Sequence, residues 1–138
     1  MANEAVILTE LEPPVGFTVT DGTGIEKGTH LRLTDPMTAI ITSGVAQEFA
    51  GIAAEEKVAS DGKTKIGVYM RGIFKGTAGG TIGIGDGLIS ETGGTNEFLT
   101  ATAASDDAAV CGIALEAATD GQTFKFLLNV GIGGSPET

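Results

Sequence analysis

Few residues of this chain carry side chains that could act in catalysis, and their spacing forms no recognisable catalytic set. His30 is the single histidine and Cys111 the single cysteine. One histidine without several thiolates or carboxylates cannot hold zinc, and no CxxC, HxH or HExxH motif occurs. We therefore expect His30 to be a surface or half-buried strand residue and Cys111 an inert buried thiol. A Cys111–His30 dyad is the one nucleophilic alternative.

Three polar or glycine-rich patterns could bind a cation or a phosphate. Asp106-Asp107 lacks the alternating oxygen ligands, central glycine and terminal glutamate of a calcium loop. The glycine clusters at 79–85 and 131–134 lack the lysine of a phosphate-binding loop and its strand-then-helix setting. We interpret all three as loops. The sequence therefore predicts no metal, no cofactor and no enzymatic activity.

Composition indicates one small β-domain with few aromatic residues. The chain has 138 residues, of which 22 are glycine and none is tryptophan. Frequent glycines are typical of short strands separated by tight turns. No run of about 20 apolar residues occurs, and the N-terminus has no basic segment, so we expect a soluble protein made in the cytoplasm.

The charge pattern is acidic and uneven. A formal charge of −10 disfavours nucleic-acid and anionic membrane partners, because binding to phosphates depends on Lys and Arg. No cationic residue occurs before Lys27 or between Lys75 and Lys125. The acidic stretch in that second gap fits a solubilising surface, a docking surface for a basic partner, or tolerance of high salt.

Residues 1–17 differ from the rest of the chain and are predicted to form an extended N-terminal arm. Two adjacent prolines exclude a helix interior there and favour an extended backbone. Such an arm could add a strand to the sheet of a partner. A frayed terminus or a first edge strand are the alternatives. The residues that would make the contact are Val6, Ile7, Leu8, Leu11, Pro13 and Pro14.

An internal repeat of about 60 residues divides the remaining domain, residues 18–138, into two similar halves. The halves span about 22–74 and 79–133. The motif I-x-x-G-x-x-L occurs at 25–31 and 82–88, G-I-A-x-E at 51–55 and 112–116, D-G-x-T at 61–64 and 120–123, and G-I at 72–73 and 131–132. Both halves therefore repeat one series of short strands and Asp-Gly turns.

Two alanine-rich stretches could instead be helical. Val45–Val58 and Ala101–Ala118 both carry apolar residues at helical spacing. Gly51 and Gly112 lie within them at the same place of the repeat, and glycine is unfavourable in a helix interior. Strands are therefore favoured at both glycines, with helix elsewhere in these stretches left open.

The order of these motifs resembles the head decoration (cement) proteins of tailed bacteriophages. The similarity extends over residues 22–130. It rests on the segments Ile25–Gly28, Gly51–Ala53, Val68–Phe74, Ile84–Leu88 and Gly112–Ala117. The chain departs from the pattern at Lys27-Gly28-Thr29, where the family usually has Gly-Asp, and at Cys111-Gly112.

This resemblance implies an all-β fold, a small tulip-like barrel or sandwich, and a structural rather than enzymatic role. It implies a virion protein that binds the outer surface of the assembled capsid and stabilises it. The major capsid protein would be the partner, contacted by the N-terminal arm, and a homo-oligomer, with a trimer favoured, would bind. The alternatives are another virion module, such as a tail or head-fibre base, and a small-ligand or carbohydrate-binding β-domain.

Overall fold

The structure, a computed structural model, describes residues 3–91, 95–102 and 109–130. These residues form short β-strands joined by turns, and they contain no α-helix. In chain order the strands are β1 Val6–Glu10, β2 Val15–Thr18, β3 His30–Asp35, β4 Thr38–Ile41, β5 Phe49–Ala53, β6 Lys65–Tyr69, β7 Arg71–Ala78, β8 Gly87–Ser90, β9 Glu97–Thr100, β10 Gly112–Ala114 and β11 Thr123–Asn129.

Strands β2 to β6 form a closed five-stranded barrel in the order β2-β4-β3-β5-β6. All neighbours are antiparallel except β2 and β4, which meet in parallel at Thr18 and Thr38. The core of this first barrel is built from small and aliphatic residues with one phenylalanine. Its buried members are Phe17, Val19, Ile25, Leu31, Ala39, Ala50, Ala53, Ile66 and Val68.

Strands β7 to β11 form a second barrel with the same connections. Its order is β7-β11-β10-β8-β9, and a parallel contact of β9 with β7 at Thr77 and Ala78 closes it. Each pairing has its counterpart in the first barrel: β7 corresponds to β2, β8 to β3, β9 to β4, β10 to β5 and β11 to β6. The predicted all-β fold made of two similar halves is confirmed.

Gly51 and Gly112 occupy equivalent strands, as the repeat predicts. Gly51 lies in β5 and Gly112 in β10. A Cβ atom at Gly51 would overlap the carbonyl oxygen of Tyr69 on β6, and one at Gly112 would overlap that of Leu127 on β11. Only glycine lets the neighbouring backbone approach so closely. Strand structure is thus confirmed at both glycines, while residues 103–108 of the second alanine-rich stretch lie outside the described residues.

The two halves begin earlier than the sequence motifs indicate. β2, at Val15–Thr18, belongs to the first barrel although it precedes residue 22. β7, at Arg71–Ala78, opens the second barrel instead of closing the first. The predicted end of the first half, at residue 74, rests on the match of Gly72-Ile73 with residues 131–132. Residues 131–132 lie outside the described residues. The D-G turns do match, because Gly62 and Gly121 both have a left-handed φ, 87° and 84°.

The two barrels share buried residues at their junction. The core of the second barrel contains five of the six phenylalanines. Phe49 and Ile52 of β5 belong to this core although their strand is part of the first barrel. The other buried members are Ala5, Phe74, Ala78, Ile82, Leu88, Phe98, Cys111, Ala114, Ala118, Phe124, Phe126 and Leu128. The barrels are therefore packed into one continuous structure.

The N-terminal segment forms an edge strand of the second barrel, which is one of the two alternatives to a free arm. β1 pairs antiparallel with β7, Val6 opposite Lys75 and Ile7 opposite Phe74, and its register shifts at Leu8. Ala5 is buried and donates its N–H to the carbonyl oxygen of Gly28 at 3.0 Å. Main-chain pairing and the burial of Ala5 thus hold this segment on the second barrel, so residues 6–10 are not a free arm.

Candidate functional site

The six N-terminal residues predicted to contact a partner are divided between the two barrels. Val6 and Leu8 on β1 keep 57% and 46% of their surface exposed, while Ile7 packs against the core of the second barrel. The described residues include no strand beyond β1, so its outer edge is unpaired within this part of the chain. An unpaired edge strand with outward aliphatic side chains is a template for a partner strand.

The remaining three residues follow β1 and cross to the first barrel. Leu11 is 42% exposed, and Pro13 and Pro14 are exposed as well. Pro14 lies over Gly67 of β6, since a Cβ atom built on that glycine would be 3.1 Å from the Cβ of Pro14. The structure thus arranges the predicted residues as an exposed border along both barrels, with Ile7 turned inward.

His30 is completely buried where the two barrels meet, rather than at the surface or half-buried. Its Nδ1 is 2.9 Å from Oγ of Ser90 on β8, and its backbone N–H donates to Oδ1 of Asn96 at 3.0 Å. Its ring lies against those of Phe49 and Phe98, with centroids at 5.6 and 4.2 Å. Burial lowers the pKa of His30 to about 3, so the imidazole is neutral. The residue connects the barrels through buried hydrogen bonds.

Cys111 is buried in the core of the second barrel. Its Sγ contacts the carbonyl oxygen of Leu88 at 3.4 Å. Burial raises the pKa of its thiol to about 12, which leaves almost no thiolate at neutral pH. The environment is that of a structural thiol rather than of a nucleophile.

Lys57, a buried lysine that no sequence motif marks, joins two turns of the first barrel through its ammonium group. Lys57 Nζ bonds to Oδ1 of Asp61 at 2.8 Å, to Oδ1 of Asp21 at 3.1 Å and to the carbonyl oxygens of Asp21 and Val58. Burial alone would lower the pKa of Lys57, but these bonds outweigh it and the pKa is raised. The second barrel has Ala118 at the equivalent isolated bridge. Aligning the two halves of the sequence would place Lys57 opposite Ala118, and this difference is the signal that could have identified the lysine.

The glutamates of the repeated G-I-A-x-E motif have the same structural role in both halves. Glu55 Oε2 accepts the backbone N–H of Gly67 on β6 at 2.8 Å, and Glu116 Oε1 accepts that of Lys125 on β11 at 3.0 Å. Glu55 also pairs with Lys63. Its hydrogen bonds to Lys63 and to Gly67 lower its pKa. The motif is therefore explained by strand pairing and not by a ligand site.

Acidic side chains crowd together near β9. A hydrogen bond with Glu91, followed by burial and the charges of Glu91 and Asp120, raises the pKa of Glu97. In the described part of the chain, no group of three or more His, Cys, Asp and Glu side chains is arranged to hold a metal ion. Asp106-Asp107 and the 131–134 glycine cluster lie outside it, whereas residues 79–85 form turns and bends around an isolated bridge at Ile82.

No pocket opens and no helix long and apolar enough to cross a membrane occurs in residues 3–91, 95–102 and 109–130. The surface instead offers an edge strand, exposed aliphatic side chains and patches of charge. An unpaired edge strand with exposed aliphatic side chains can pair with a strand of another chain. The fold and the surface thus identify the chain as a duplicated β-barrel protein with an exposed edge strand.

Comparison with known proteins places the chain in a family. The family model for phage cement proteins matches residues 13–130, and the chain belongs to that family. The head fibre gp8.5 N base of bacteriophage phi29 is similar in fold. Its crystal structure gives a TM-score of 0.56 at 18% identity, covering 89% of this chain and 98% of that one. No curated protein matches. The chain is thus a structural protein of the phage virion.

Proposed function

We propose that this protein binds the outer surface of an assembled phage capsid and stabilises the shell, without enzymatic activity. Membership of the cement protein family supports this proposal. The structural observation that carries it is β1, whose outer edge and whose Val6 and Leu8 side chains have no partner strand in the described fold. The major capsid protein is the proposed partner.

Strand β1 would attach the protein by adding to a sheet of the capsid protein or by packing its aliphatic side chains into a groove there. Burying a side chain such as Val6 or Leu8 contributes about 1.5–3 kcal/mol before the costs of ordering. Leu11, Pro13 and Pro14 would extend the contact toward the first barrel, since they too are exposed. Ile7 would act indirectly, by fixing β1 on the second barrel.

We further propose that a homo-oligomer, with a trimer favoured, is the binding unit. Several identical contacts to neighbouring shell subunits raise the overall affinity without requiring any single contact to be strong. A protein that binds only the assembled shell stabilises it by mass action. The protein would be made in the host cytoplasm and reside on the virion surface. Sedimentation equilibrium at several concentrations tests the oligomeric state.

The test of attachment is co-sedimentation with purified capsids of the phage that encodes the chain. Deleting the N-terminal segment would also remove buried Ala5 and core-packed Ile7. The outward residues are therefore changed instead, as Val6→Asp with Leu8→Asp. We expect capsid binding to weaken roughly tenfold or more with an unchanged circular dichroism spectrum. The control is Val58→Asp with Ile84→Asp, since both residues are well exposed elsewhere, at 66% and 76%. Equal binding by both double variants would contradict attachment through β1.

A fibre-base module is the second candidate, favoured by the fold shared with the head fibre gp8.5 N base over nearly the whole of both chains. Electron microscopy of heads carrying the protein separates the two candidates. A cement protein would appear as low protrusions repeated over the shell lattice, and a fibre base as the root of an extended appendage.

A further inference from the structure

Two lysines stand side by side on the outer surface of the second barrel. Lys75 of β7 and Lys125 of β11 are direct partners in the antiparallel pair, and both are exposed. The Cβ atoms of such partners lie roughly 4.5–5.5 Å apart, where like charges destabilise a sheet. In the described residues neither ammonium forms an ion pair. Glu116, whose carboxylate is nearby, binds the backbone N–H of Lys125 instead.

The barrel does not need charges at these two positions. Glu55 and Glu116 bind the N–H groups of Gly67 and Lys125, so these two residues occupy equivalent places. The strand partner of Gly67 is Gly16, just as the partner of Lys125 is Lys75. The first barrel thus forms the same strand pair with two glycines. Neither strand pairing nor barrel closure accounts for the two lysines.

An apolar strip and a third cation lie next to the lysine pair on the same strands. Ile73 is paired with Leu127, two residues along each strand, and both side chains are half-buried. Beyond them Arg71 is paired with Asn129 and is exposed. An apolar centre with a charged rim is the usual composition of a protein interface. We call these residues the cationic face: Arg71, Ile73, Lys75, Lys125 and Leu127.

The cationic face is continuous with exposed apolar residues on both sides. Val6 of β1 is paired with Lys75 and is 57% exposed. On the opposite side Leu115 donates its N–H to the carbonyl oxygen of Lys125, and 46% of its surface is exposed. Of the eight cationic residues of the chain, three lie on this one face, although the chain as a whole carries a charge of −10.

We propose that the cationic face docks on a carboxylate-bearing surface of the phage shell, an inference that rests on the shell attachment proposed above. Charge complementarity identifies the chemistry of the partner, since carboxylates between Lys75 and Lys125 would neutralise a repulsion that the free protein carries. Ile73 and Leu127 would be covered in the same contact. Because Val6 borders this face, one docking event would cover β1 and the lysines together.

The deciding variant is Lys75→Glu, because it abolishes the pair of positive charges without destabilising the sheet. A glutamate opposite Lys125 forms an attractive cross-strand pair, so the melting temperature should stay the same or rise. Capsid binding at low salt should nevertheless weaken roughly tenfold or more. Wild-type binding should also weaken with increasing NaCl, and the binding of the variant should respond less to salt.

The control is Lys65→Glu, which makes the same charge change at an exposed lysine on β6 of the first barrel, opposite Thr18. It should bind capsids as the wild type does. If Lys75→Glu also binds within about twofold of the wild type, the cationic face is not the shell contact. If Lys75→Glu self-associates less than the wild type, but the oligomers that still form bind capsids with the wild-type affinity, the cationic face contacts a second copy of this chain. That result would overturn the inference. If the wild type itself does not bind capsids, the proposed shell attachment fails together with this inference. If the wild type binds and Lys75→Glu binds equally well, only the inference about the cationic face fails.

Discussion

At the scale of single residues, His30 shows how a lone histidine can be structural. Its Nδ1 is bonded to Ser90, and its Nε2 is buried beside the rings of Phe49 and Phe98, with no hydrogen-bond partner among the residues that the structure describes. A charged imidazolium would have no acceptor for its second proton there. The fold therefore depends on the neutral form of His30, and this dependence makes its stability sensitive to acid.

We expect the unfolding free energy to fall as the pH is lowered from 6.5. The unfolded chain protonates His30 near pH 6.5, while burial keeps the folded residue neutral to about pH 3. Between these values the unfolded state binds more protons, so stability is lost as the pH falls and is unaffected above 6.5. From pH 6.5 to 4 this loss is about 3 kcal/mol. Urea unfolding of the wild type and of His30→Gln measures it, and equal pH slopes would contradict the assignment.

Lys57 carries a prediction of its own, because the second barrel forms without an equivalent lysine. Lys57→Ala would introduce the residue found at Ala118 but would leave the carboxylates of Asp21 and Asp61 facing each other without their cation. We expect the melting temperature to fall by several degrees. Lys65→Ala, at an exposed strand position, is the control and should change little. A Lys57→Ala protein that melts like the control would show that the ion cluster is dispensable.

At the scale of elements, the repeated glycines test the duplication directly. Gly51→Ala and Gly112→Ala each place a methyl group against a backbone carbonyl of the neighbouring strand, which side-chain rotation cannot relieve. Each should lower the unfolding free energy by about 3 kcal/mol, by a similar amount in both halves. Gly22→Ala, where a Cβ atom would meet nothing within 4 Å, should be nearly neutral. Chemical denaturation measures all three, and a tolerant Gly112 beside an intolerant Gly51 would contradict equivalence.

The sequence predicts these elements where a local pattern repeats, and it fails where pairing is distant. The motifs around Gly51 and Gly112 identify equivalent strands because the same close approach recurs in each half. The pairing of β2 with β6 joins residues about fifty positions apart, and the pairing of β1 with β7 spans more than sixty. Nothing within residues 1–17 specifies those partners, so the sequence alone predicts an arm there.

The candidate site was partly predictable for the same reason. Exposed aliphatic residues beside two prolines draw attention to the N-terminus, and the structure leaves Val6, Leu8 and Leu11 exposed. The inward packing of Ile7 depends on the strand register, which the sequence does not reveal. The lysine pair cannot be predicted from the sequence, because it depends on the strand register, which places Lys75 opposite Lys125 and, in the first barrel, Gly16 opposite Gly67.

At the scale of the whole molecule, the two barrels have the same strand connections and different surfaces. The first contains Lys57 held by acidic side chains, whereas the second carries the cationic face and the edge strand β1. Duplication supplies two copies of one framework, and divergence of outward residues gives each copy its own contacts. A cement protein built in this way would attach mainly through its second barrel, leaving most of the first exposed to solvent.

Calorimetry of purified capsids tests whether this protein binds and stabilises an assembled phage shell. Capsids lacking the protein are heated alone and with a saturating amount of it. Because a ligand that binds only the assembled state stabilises that state by mass action, the shell transition should move to higher temperature as the protein is added. The increase in the shell transition temperature should be smaller with the variant that carries both Val6→Asp and Leu8→Asp. A shell transition that stays at the same temperature at saturation would contradict stabilisation of the shell by this protein.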